Sequence, residues 1–437
     1  MNKIKVYFKQ ALTLMNQHRL FTGIYVLGTG LSIALTMTLF IIFYVKLGPI
    51  YPEYNRARTL VVKSIKRSPK GNPGSWSVNG GVSYNMIRDM LPKLEHAEKV
   101  CGVFSEMDGM DRHFLTHPNG KQLNPNISYV DAGFWKLFDF KFISGSPFTT
   151  EEVEGYVKVA VISETIAKEL FASTNVVGKN INFDGADYKI SGVVKDVSRA
   201  MSATTADVWL PIYFSSWVQE ELKEGNQSMS GNTVGYVLAK KGNVEALKRE
   251  VEELVKLHNQ QNDVFEHDLL GGPYVYWKSE LRETHVRPLD LWESLKIYLY
   301  MLLALLFIPA LNLSGMISSR MDGRLSELGV RKAYGATNGK LLGQVLFENL
   351  LLTCVGGVLG LLMAYLIVYT SSDWIIYLFD RYVVNTSGVD IQPEMLFNST
   401  LFLISFLLCV LLNVVSALIP ATMALRHNII ESIHSKR

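Results

Sequence analysis

Four long stretches of the chain contain no Asp, Glu, Lys or Arg, and they constrain the fold more than any other feature. They run from Leu20 to Val45, from Ile297 to Ser319, from Asn349 to Ser372 and from Met395 to Leu425. Each is longer than the roughly 20 residues that a helix needs to cross about 30 Å of hydrocarbon. A segment in lipid must pair all of its own backbone polar groups, so each stretch predicts a helix. The sequence therefore predicts an α-helical integral membrane protein with four transmembrane helices.

The first charge-free stretch has a competing interpretation as a cleaved signal peptide. Signal peptides have an apolar core of about 7–15 residues and a small-residue cleavage site. Here the run is longer and ends in the sequence IIFYVK (41–46), with no Ala-x-Ala motif. We therefore interpret it as an uncleaved anchor.

The basic residues around the short segments predict the orientation of the chain, because such residues are retained in the cytoplasm. They occur before the first span (Lys3, Lys5, Lys9, Arg19), between the second and third (Arg320, Arg324, Arg331, Lys332, Lys340) and after the fourth (Arg426, Lys436, Arg437). The segment between the third and fourth spans has only Arg381 against Asp373, Asp380, Asp390 and Glu394. Both termini are therefore expected in the cytoplasm, and the large region after the first span outside it.

These spans divide the chain into segments with the following expected boundaries. They are a cytoplasmic amphipathic segment (1–19), a first span (20–46), an extracytoplasmic α+β domain (47–290), a second span (291–319), a cytoplasmic coupling loop or helix (320–341), a third span (342–372), an extracytoplasmic loop (373–394), a fourth span (395–422) and a cytoplasmic tail (423–437). The first segment has apolar residues at helical spacing. It either lies along the inner membrane surface or extends the first span.

The exported region mixes strand and helix patterns. Val159–Ile162 is a β-rich run, Ser163–Ala172 predicts a helix with Ser163 as its N-cap, and Lys179–Val194 predicts a hairpin that turns at Asp184-Gly185. Val244–Leu257 is amphipathic at helical period, and the Gly-, Pro- and Ser-rich stretch Ser68–Gly81 is expected to be a loop. The region is near the upper size for one core, so it forms either one domain or two subdomains.

The sequence contains almost no catalytic or ligand-binding motif. The sequence GATNGKL (335–341) comes nearest to a P-loop, but it lacks one spacer residue and the terminal hydroxyl. His113 and His117 lie four residues apart without a third metal ligand, and Cys101, Cys354 and Cys409 are not placed for a disulfide within the exported domain. The net charge of +3 follows from the predicted topology and does not point to nucleic acid. We therefore expect no enzyme and no catalytic, cofactor-binding or metal-binding residue in this chain.

The spans contain residues that predict how the membrane helices pack. Pro309 is expected to kink the second span, and Asn312 to bond a partner helix or line a polar cavity. In the third span, Gly356 and Gly360 form a G-x-x-x-G spacing that allows helices to approach closely, although glycine is common in spans generally.

The basic segment between the second and third spans is longer than a simple connection requires. Arg324–Tyr334 has room for a short helix with Gly335 as its C-cap. Such a helix at the inner membrane surface is either a docking element for another protein or only a set of basic residues that fixes the topology. These residues alone leave both interpretations open.

The stretch SRMDGRLSELGVRKAYGATNGKLLGQVLFENLLL (319–352) resembles the signature of the MacB/FtsX/LolC family of ABC-transporter permeases. The matching residues are Arg324, Glu327, Leu328, Gly329, Val330, Arg331, Lys332, Ala333, Gly335, Ala336, Gln344 and Glu348. Val161–Phe171 and Ile190–Asp196 are similar to the family's extracytoplasmic domain. The exported region is therefore expected to be an inserted MacB-periplasmic-core-like domain.

The resemblance implies a function by mechanotransmission. Arg324, Glu327, Leu328, Gly329, Arg331, Lys332, Gly335 and Ala336 would contact an ABC ATPase subunit. MacB-type members carry a fused ATPase, whereas this sequence begins almost at the first span, so ATP and magnesium are expected in a separate partner chain. A second permease half, identical or paralogous, would complete a dimer in the bacterial inner membrane, surrounded by membrane lipids.

The resemblance also leaves the transported substrate and the wider assembly open. Export or efflux of a substrate is the first expectation, with a periplasmic adaptor and an outer-membrane channel as further partners. The alternatives are an FtsX-like transmembrane signalling module that controls a cell-envelope partner, and a lipoprotein-release permease.

Overall fold

The computed structural model describes residues 8, 13, 15–17, 19–72, 74–105, 114–116, 120, 122–282, 287–323, 325–371 and 399–426. Within the described residues, the chain divides into two compact units, with boundaries between Ile42 and Phe43 and between Leu295 and Lys296. We call Phe43–Leu295 the inserted unit, and the described residues on either side of it the helical unit.

The helices of both units follow one another along the chain. They are α1 (Arg19–Leu47), α2 (Ala132–Leu137), α3 (Thr150–Glu154), α4 (Glu164–Phe171), α5 (Ser216–Glu224), α6 (Val244–Gln261), α7 (Tyr276–Ser279), α8 (Leu291–Gly323), α9 (Leu325–Ala333), α10 (Asn338–Thr370) and α11 (Ser399–Arg426).

The strands all belong to the inserted unit. They are β1 (Thr59–Val62), β2 (Ile65–Pro69), β3 (Val78–Val82), β4 (Ala97–Ser105), β5 (Leu115–Thr116), β6 (Gln122–Leu123), β7 (Ile127–Val130), β8 (Phe142–Gly145), β9 (Val159–Ser163), β10 (Asn180–Phe183), β11 (Ala186–Val194), β12 (Val208–Pro211), β13 (Ser230–Gly231), β14 (Val234–Ala239), β15 (Phe265–Asp268) and β16 (Tyr274–Val275).

Two sheets organise the inserted unit. The larger has twelve strands in the order β16-β1-β14-β4-β7-β12-β9-β11-β10-β5-β6, with β8 paired to β11. Its pairs are antiparallel except β7 with β12 and β9 with β11. The smaller has four strands in the order β13-β3-β2-β15. With its helices, the unit is an α+β domain.

One hydrophobic cluster joins the two sheets and their helices. Trp209, in the middle of β12, is the largest side chain that is fully buried. Leu247, Val251 and Val255 form the apolar stripe of α6, and all three are buried in the same cluster. The inserted unit therefore has a single continuous core, even though it has two sheets.

The local patterns around β9 predicted the structure well. The Ser163 side chain accepts a hydrogen bond from the backbone N–H of Ile166, which confirms it as the N-cap of α4. β10 and β11 form the predicted hairpin, and Asp184 and Gly185 turn it with positive φ angles of 48° and 78°. Such angles are typical of a two-residue hairpin turn. The predicted helix at Val244 is also confirmed and continues to Gln261.

The prediction of a loop at Ser68–Gly81 is wrong at both ends. β2 continues to Pro69 and β3 begins at Val78, so that only the middle of the stretch connects strands. The glycines of β3 are explained by close backbone contact. A Cβ atom on Gly80 would lie 2.7 Å from the carbonyl oxygen of Gly231 on the neighbouring strand. Glycine inside a strand marks such an approach as often as it marks a turn.

In the helical unit, three described helices are long and apolar enough to cross a membrane. They are α1, α10 and Ser399–Met423 within α11. α8 includes the second predicted span, but several of its side chains lie outside the described residues, so four spans remain a prediction. Residues 373–394 and 427–437, and most of 1–19, also lie outside the described residues, as do His113 and His117.

Candidate coupling site

The short helix α9 lies within the segment that links the second and third predicted spans. It ends in a Schellman-type turn, in which Gly335 N–H donates to Lys332 O and Ala336 N–H donates to Arg331 O. Gly335 has a φ angle of +87°, a left-handed conformation that glycine adopts without a Cβ penalty. The predicted C-cap is therefore where the structure ends the helix.

Arg331 links α9 to α10 through a chain of hydrogen bonds. Its guanidinium donates to Glu327 Oε1 at 2.6 Å within α9 and to Gln344 Oε1 at 2.8 Å on α10. Gln344 in turn donates to Glu348 Oε1 at 3.0 Å, one helical turn further along α10. Gln344 and Glu348 are only 6% and 2% exposed. The network thus begins at a partly exposed ion pair and ends at a buried carboxyl group.

Lys332 makes a second connection, from α9 to α11. Its ammonium group donates to the carbonyl oxygen of Leu425 at 2.5 Å. Leu425 lies at the C-terminal end of α11, where the last carbonyl groups have no partner within their own helix. A positive charge is also favourable at this end of the helix dipole. Together, Arg331 and Lys332 fix one side of α9 to two long helices.

The other side of α9 presents apolar surface. Val330 is 47% exposed, and Tyr334, which follows the end of the helix, is 89% exposed. The two residues are four apart and so occupy the same side of the helical turn. Exposed aromatic side chains are enriched at surfaces that another protein covers and also at membrane surfaces.

The remaining predicted coupling residues are placed as follows. Gly329 is buried in α9, and Ala336 packs against the cluster that includes Leu341 and Leu425. Arg324 lies outside the described residues, and so does the side chain of Leu328.

Of the four predicted packing residues, two lie in α8 and two in α10. Pro309 and Asn312 fall within α8, but their side chains lie outside the described residues. Gly356 and Gly360 lie against α1. A Cβ on Gly360 would be 2.6 Å from Gly30 O, and one on Gly356 would be 3.0 Å from the Cβ of Thr29. Both glycines therefore lie where two helix backbones come close together.

Two polar contacts of the helical unit were not predicted from the sequence. Gln344 and Glu348 matched the family signature, but nothing in the sequence showed that they bond to Arg331 through space. Asn413 donates to Thr353 Oγ1 at 3.2 Å, which joins α11 to α10 in a buried position. The only sequence signal for such contacts is a polar residue at helical spacing within an apolar run.

Among its described residues, the inserted unit contains one group with the chemistry of a metal site. Glu95, His96 and Glu250 bring potential ligand atoms within 4.8 Å of one another. His96 Nδ1 and the His96 backbone N–H, however, both bond the carboxylate of Glu250. His96 and Glu250 are thus already paired with each other, in a polar contact between α6 and the segment before β4.

Comparison with known protein families covers both units. The model of the MacB-like periplasmic core domain matches residues 22–254, more than half of the chain. The model of the FtsX-like permease C-terminal domain matches residues 299–429, which include the whole of α9 and its connections.

Individual relatives are distant. YknZ, an ABC transporter permease of Bacillus subtilis, is 21% identical over 249 residues, which is 56% of this chain and 57% of YknZ. The macrolide export ATP-binding/permease protein MacB of Escherichia coli strain K12 is 23% identical over 284 residues, which is 62% of this chain but 40% of MacB. The matched region thus spans only part of either relative.

Among solved structures, the periplasmic region of MacB from Actinobacillus actinomycetemcomitans aligns with a TM-score of 0.31 at 17% identity. The alignment covers 47% of this chain and 88% of that one. The extracellular domain of YknZ aligns with a TM-score of 0.32 at 13% identity and covers 48% of this chain and 99% of that one. On the two family models, which match residues 22–254 and 299–429, the chain belongs to the MacB-type family of ABC transporter permeases.

Proposed function

We propose that this chain is a permease subunit that couples ATP hydrolysis in a separate ATPase subunit to movement of its extracytoplasmic domain. The observation that carries the proposal is the two-sided character of α9. One side is bonded to α10 and α11 through Arg331 and Lys332, and the other exposes Val330 and Tyr334. This is what a docking helix requires, because a partner must bind it and the protein must transmit its displacement.

The strength of the anchoring decides whether displacement is transmitted. An ion pair as exposed as Glu327–Arg331 contributes at most about 1 kcal/mol. The bond from Gln344 to Glu348 is buried, where leaving a polar group unpaired costs about 1–3 kcal/mol. We therefore assign the mechanical connection to the buried part of the network and the recognition of the partner to its exposed part.

The proposed topology has four spans, with both termini and α9 in the cytoplasm. Three of the spans correspond to α1, α10 and α11, and the second to α8. The orientation rests on the basic residues of the segments at 1–19 and 320–341 and of the tail. The inserted unit then lies on the extracytoplasmic side of a bacterial inner membrane, where ATP is not available. This separation is the reason for a mechanical connection.

In the complete transporter we expect two permease halves, each bound to one ATPase subunit that holds ATP and magnesium. The charge-free character of all four predicted spans favours handling of the substrate by the extracytoplasmic domain over passage through a charged channel. The relative MacB is named for macrolide export, and we propose export of a substrate for this chain as well. An adaptor and an outer-membrane channel belong to the same proposal.

The proposal is tested by co-purification of the chain with the ATPase subunits of the same cell in mild detergent. Glu327→Arg reverses one charge of the exposed pair and places two cations side by side, so we expect loss of the bound ATPase. The matched control is Glu164→Arg, which breaks a comparable i,i+4 pair with Lys168 on α4 of the inserted unit. Retention of the ATPase by Glu327→Arg, or its equal loss from both variants, would contradict a docking role for α9.

A further inference from the structure

A buried arginine lies directly after the first span, in a turn that the family signature does not include. Arg56 begins the 3₁₀ turn Arg56–Arg58 that leads into β1, and it is 3% exposed. The last turn of α1 and all the residues that Arg56 contacts belong to the inserted unit.

The guanidinium of Arg56 caps the C-terminal end of α1. Its Nη1 atom lies within hydrogen-bonding distance of three carbonyl oxygens, those of Val45 (3.2 Å), Lys46 (2.8 Å) and Gly48 (3.0 Å). The last carbonyl groups of a helix have no partner within the helix, and a cation there is favourable to the helix dipole. Arg56 therefore fixes the C-terminal end of α1, which lies only about ten residues earlier in the chain.

The same guanidinium is fixed to the core of the domain through Glu53. Arg56 Nε and Nη2 lie 2.7 and 2.6 Å from Glu53 Oε2. The other carboxylate oxygen of Glu53 accepts a hydrogen bond from Thr204 Oγ1 at 2.7 Å. Arg56 Nη2 also contacts Met201 Sδ at 3.0 Å. Met201 and Thr204 lie in the connection between β11 and β12, two strands in the middle of the larger sheet.

A third contact links Arg56 to the chain that approaches the second predicted span. The guanidinium carbon lies 4.8 Å from the ring centroid of Tyr276, the first residue of α7, whose side chain is buried. One side chain thus contacts the end of the first span, the sheet connection and the helix that precedes α8.

The physical cost of this arrangement indicates what it is for. A buried ion pair is weak as a source of stability, because desolvation offsets the attraction, and apolar residues of similar volume often serve as well. An apolar side chain could not bond three carbonyl groups in a fixed direction. The planar guanidinium has five donors in a rigid arrangement and stays charged. Arg56 therefore contributes geometry that a hydrophobic contact would not.

We infer that Arg56 is the positioning residue that transmits displacement of the first span to the larger sheet of the extracytoplasmic domain. The inference rests on the proposed function, since it requires that the spans are displaced by an ATPase partner. It adds the point at which that displacement enters the domain: the bonds from the end of α1, through Arg56 and Glu53, to Thr204.

The inference is tested on the full chain with its ATPase partner in lipid nanodiscs, by hydrogen exchange with and without saturating ATP. In the wild type, ATP is expected to change exchange both in α9 and in the segment Met201–Thr204. Arg56→Met should keep the response of α9 and lose the response at Met201–Thr204. Arg56→Lys should lose most of it too, because a lysine cannot bond Glu53 and three carbonyl groups at once. The control is Arg58→Met, which removes an arginine of the same turn that pairs with Glu98 and not with α1.

The outcomes separate the inference from the function on which it rests. An unchanged response at Met201–Thr204 in Arg56→Met overturns the inference and leaves the proposed function standing. Absence of an ATP response in the wild type overturns the proposed function. Exchange of β9 without nucleotide reports whether a variant is folded. If Arg56→Met is not folded, Thr204→Val carries the test: it removes only the hydroxyl group that holds Glu53, and it should weaken the response at this segment. A full response in a folded Thr204→Val overturns the inference.

Discussion

His267 is a buried imidazole whose surroundings make the stability of the inserted unit depend on pH. Its Nε2 atom accepts a hydrogen bond from the backbone N–H of Met229. Burial, with smaller contributions from His258 and Arg67, lowers the pKa of His267 to about 4. In the unfolded chain a histidine has a pKa of about 6.5. The unfolded state therefore binds more protons between these two values, and acid favours it.

We predict that the contribution of His267 to stability is fully present above about pH 6.5, is lost by up to about 3 kcal/mol as the pH is lowered to about 4, and changes little below that. Burial raises the pKa of Asp131 to about 7, so this carboxyl group acts in the opposite direction over the same range, and the effect of His267 is the difference between the wild type and a variant. Hydrogen exchange of β15 between pH 7 and pH 4.5 measures the effect. Relative to the wild type, His267→Gln, whose amide can still accept the bond from Met229, should lose this contribution, whereas His96→Gln should retain it. The same slope in His267→Gln would contradict the assignment.

Gln344 is the residue whose removal should separate α9 from α10 most cleanly. Gln344→Leu preserves the volume but leaves Arg331 and Glu348 without the amide that joins them. We expect a loss of about 1–3 kcal/mol in stability, as for other buried bonds, and a lower ATPase rate in the complex with its partner. Gln219→Leu, which breaks a bond from the exposed Gln219 of α5 to the carbonyl of Tyr213, is the control for loss of a glutamine bond elsewhere and should leave the ATPase rate unchanged. Equal ATPase rates in Gln344→Leu and the wild type would show that the network does not transmit force.

At the scale of elements, the contact between α1 and α10 depends on the absence of side chains. A methyl group on Gly360 would meet the backbone oxygen of Gly30, which cannot move aside as a flexible side chain could. We predict that Gly360→Ala destabilises the helical unit by about 1–3 kcal/mol, the usual cost of overpacking. Gly343→Ala on the same helix, where nothing lies within 4 Å, should have little effect. Thermal unfolding in detergent compares the two, and equal melting temperatures would contradict the close approach.

The elements that could be predicted from the sequence are those fixed by residues close together in the chain. Ser163 caps α4 three residues away, and Asp184-Gly185 turns a hairpin between adjacent strands. Gly80 was wrongly predicted to lie in a loop because glycine is required there by the close approach of Gly231, which is far away in the sequence. The role of Arg56 could not be predicted for the same reason, since Thr204 and Tyr276 meet it only through the fold. In the candidate coupling site, the residues that form and end α9 are neighbours in the sequence, so the helix and its cap could be predicted. The bonds to Gln344 and Leu425 join residues far apart in the sequence and could not.

At the scale of the whole molecule, the two connections between the units that the structure describes are helical. α1 continues from the helical unit through Ile42 to Leu47, and α8 begins at Leu291 before the boundary at Lys296. A helix transmits a displacement along its axis better than a flexible linker does, because each residue is fixed by bonds to the preceding turn. The proposed path of displacement has three parts: α9 with its exposed aromatic residue, the helical connections, and the contact of Arg56 with the end of α1.

The most direct test of the central claim is site-specific photo-crosslinking in intact cells. A photoreactive phenylalanine analogue at position 334 replaces the most exposed aromatic side chain of the coupling segment, and the control places it at Tyr156, which is exposed on the inserted unit. The account predicts a crosslink from position 334 to an ABC ATPase subunit and none from position 156 to that subunit. No crosslink at 334 in a stable, membrane-inserted protein, or a crosslink to the ATPase from 156, would contradict it.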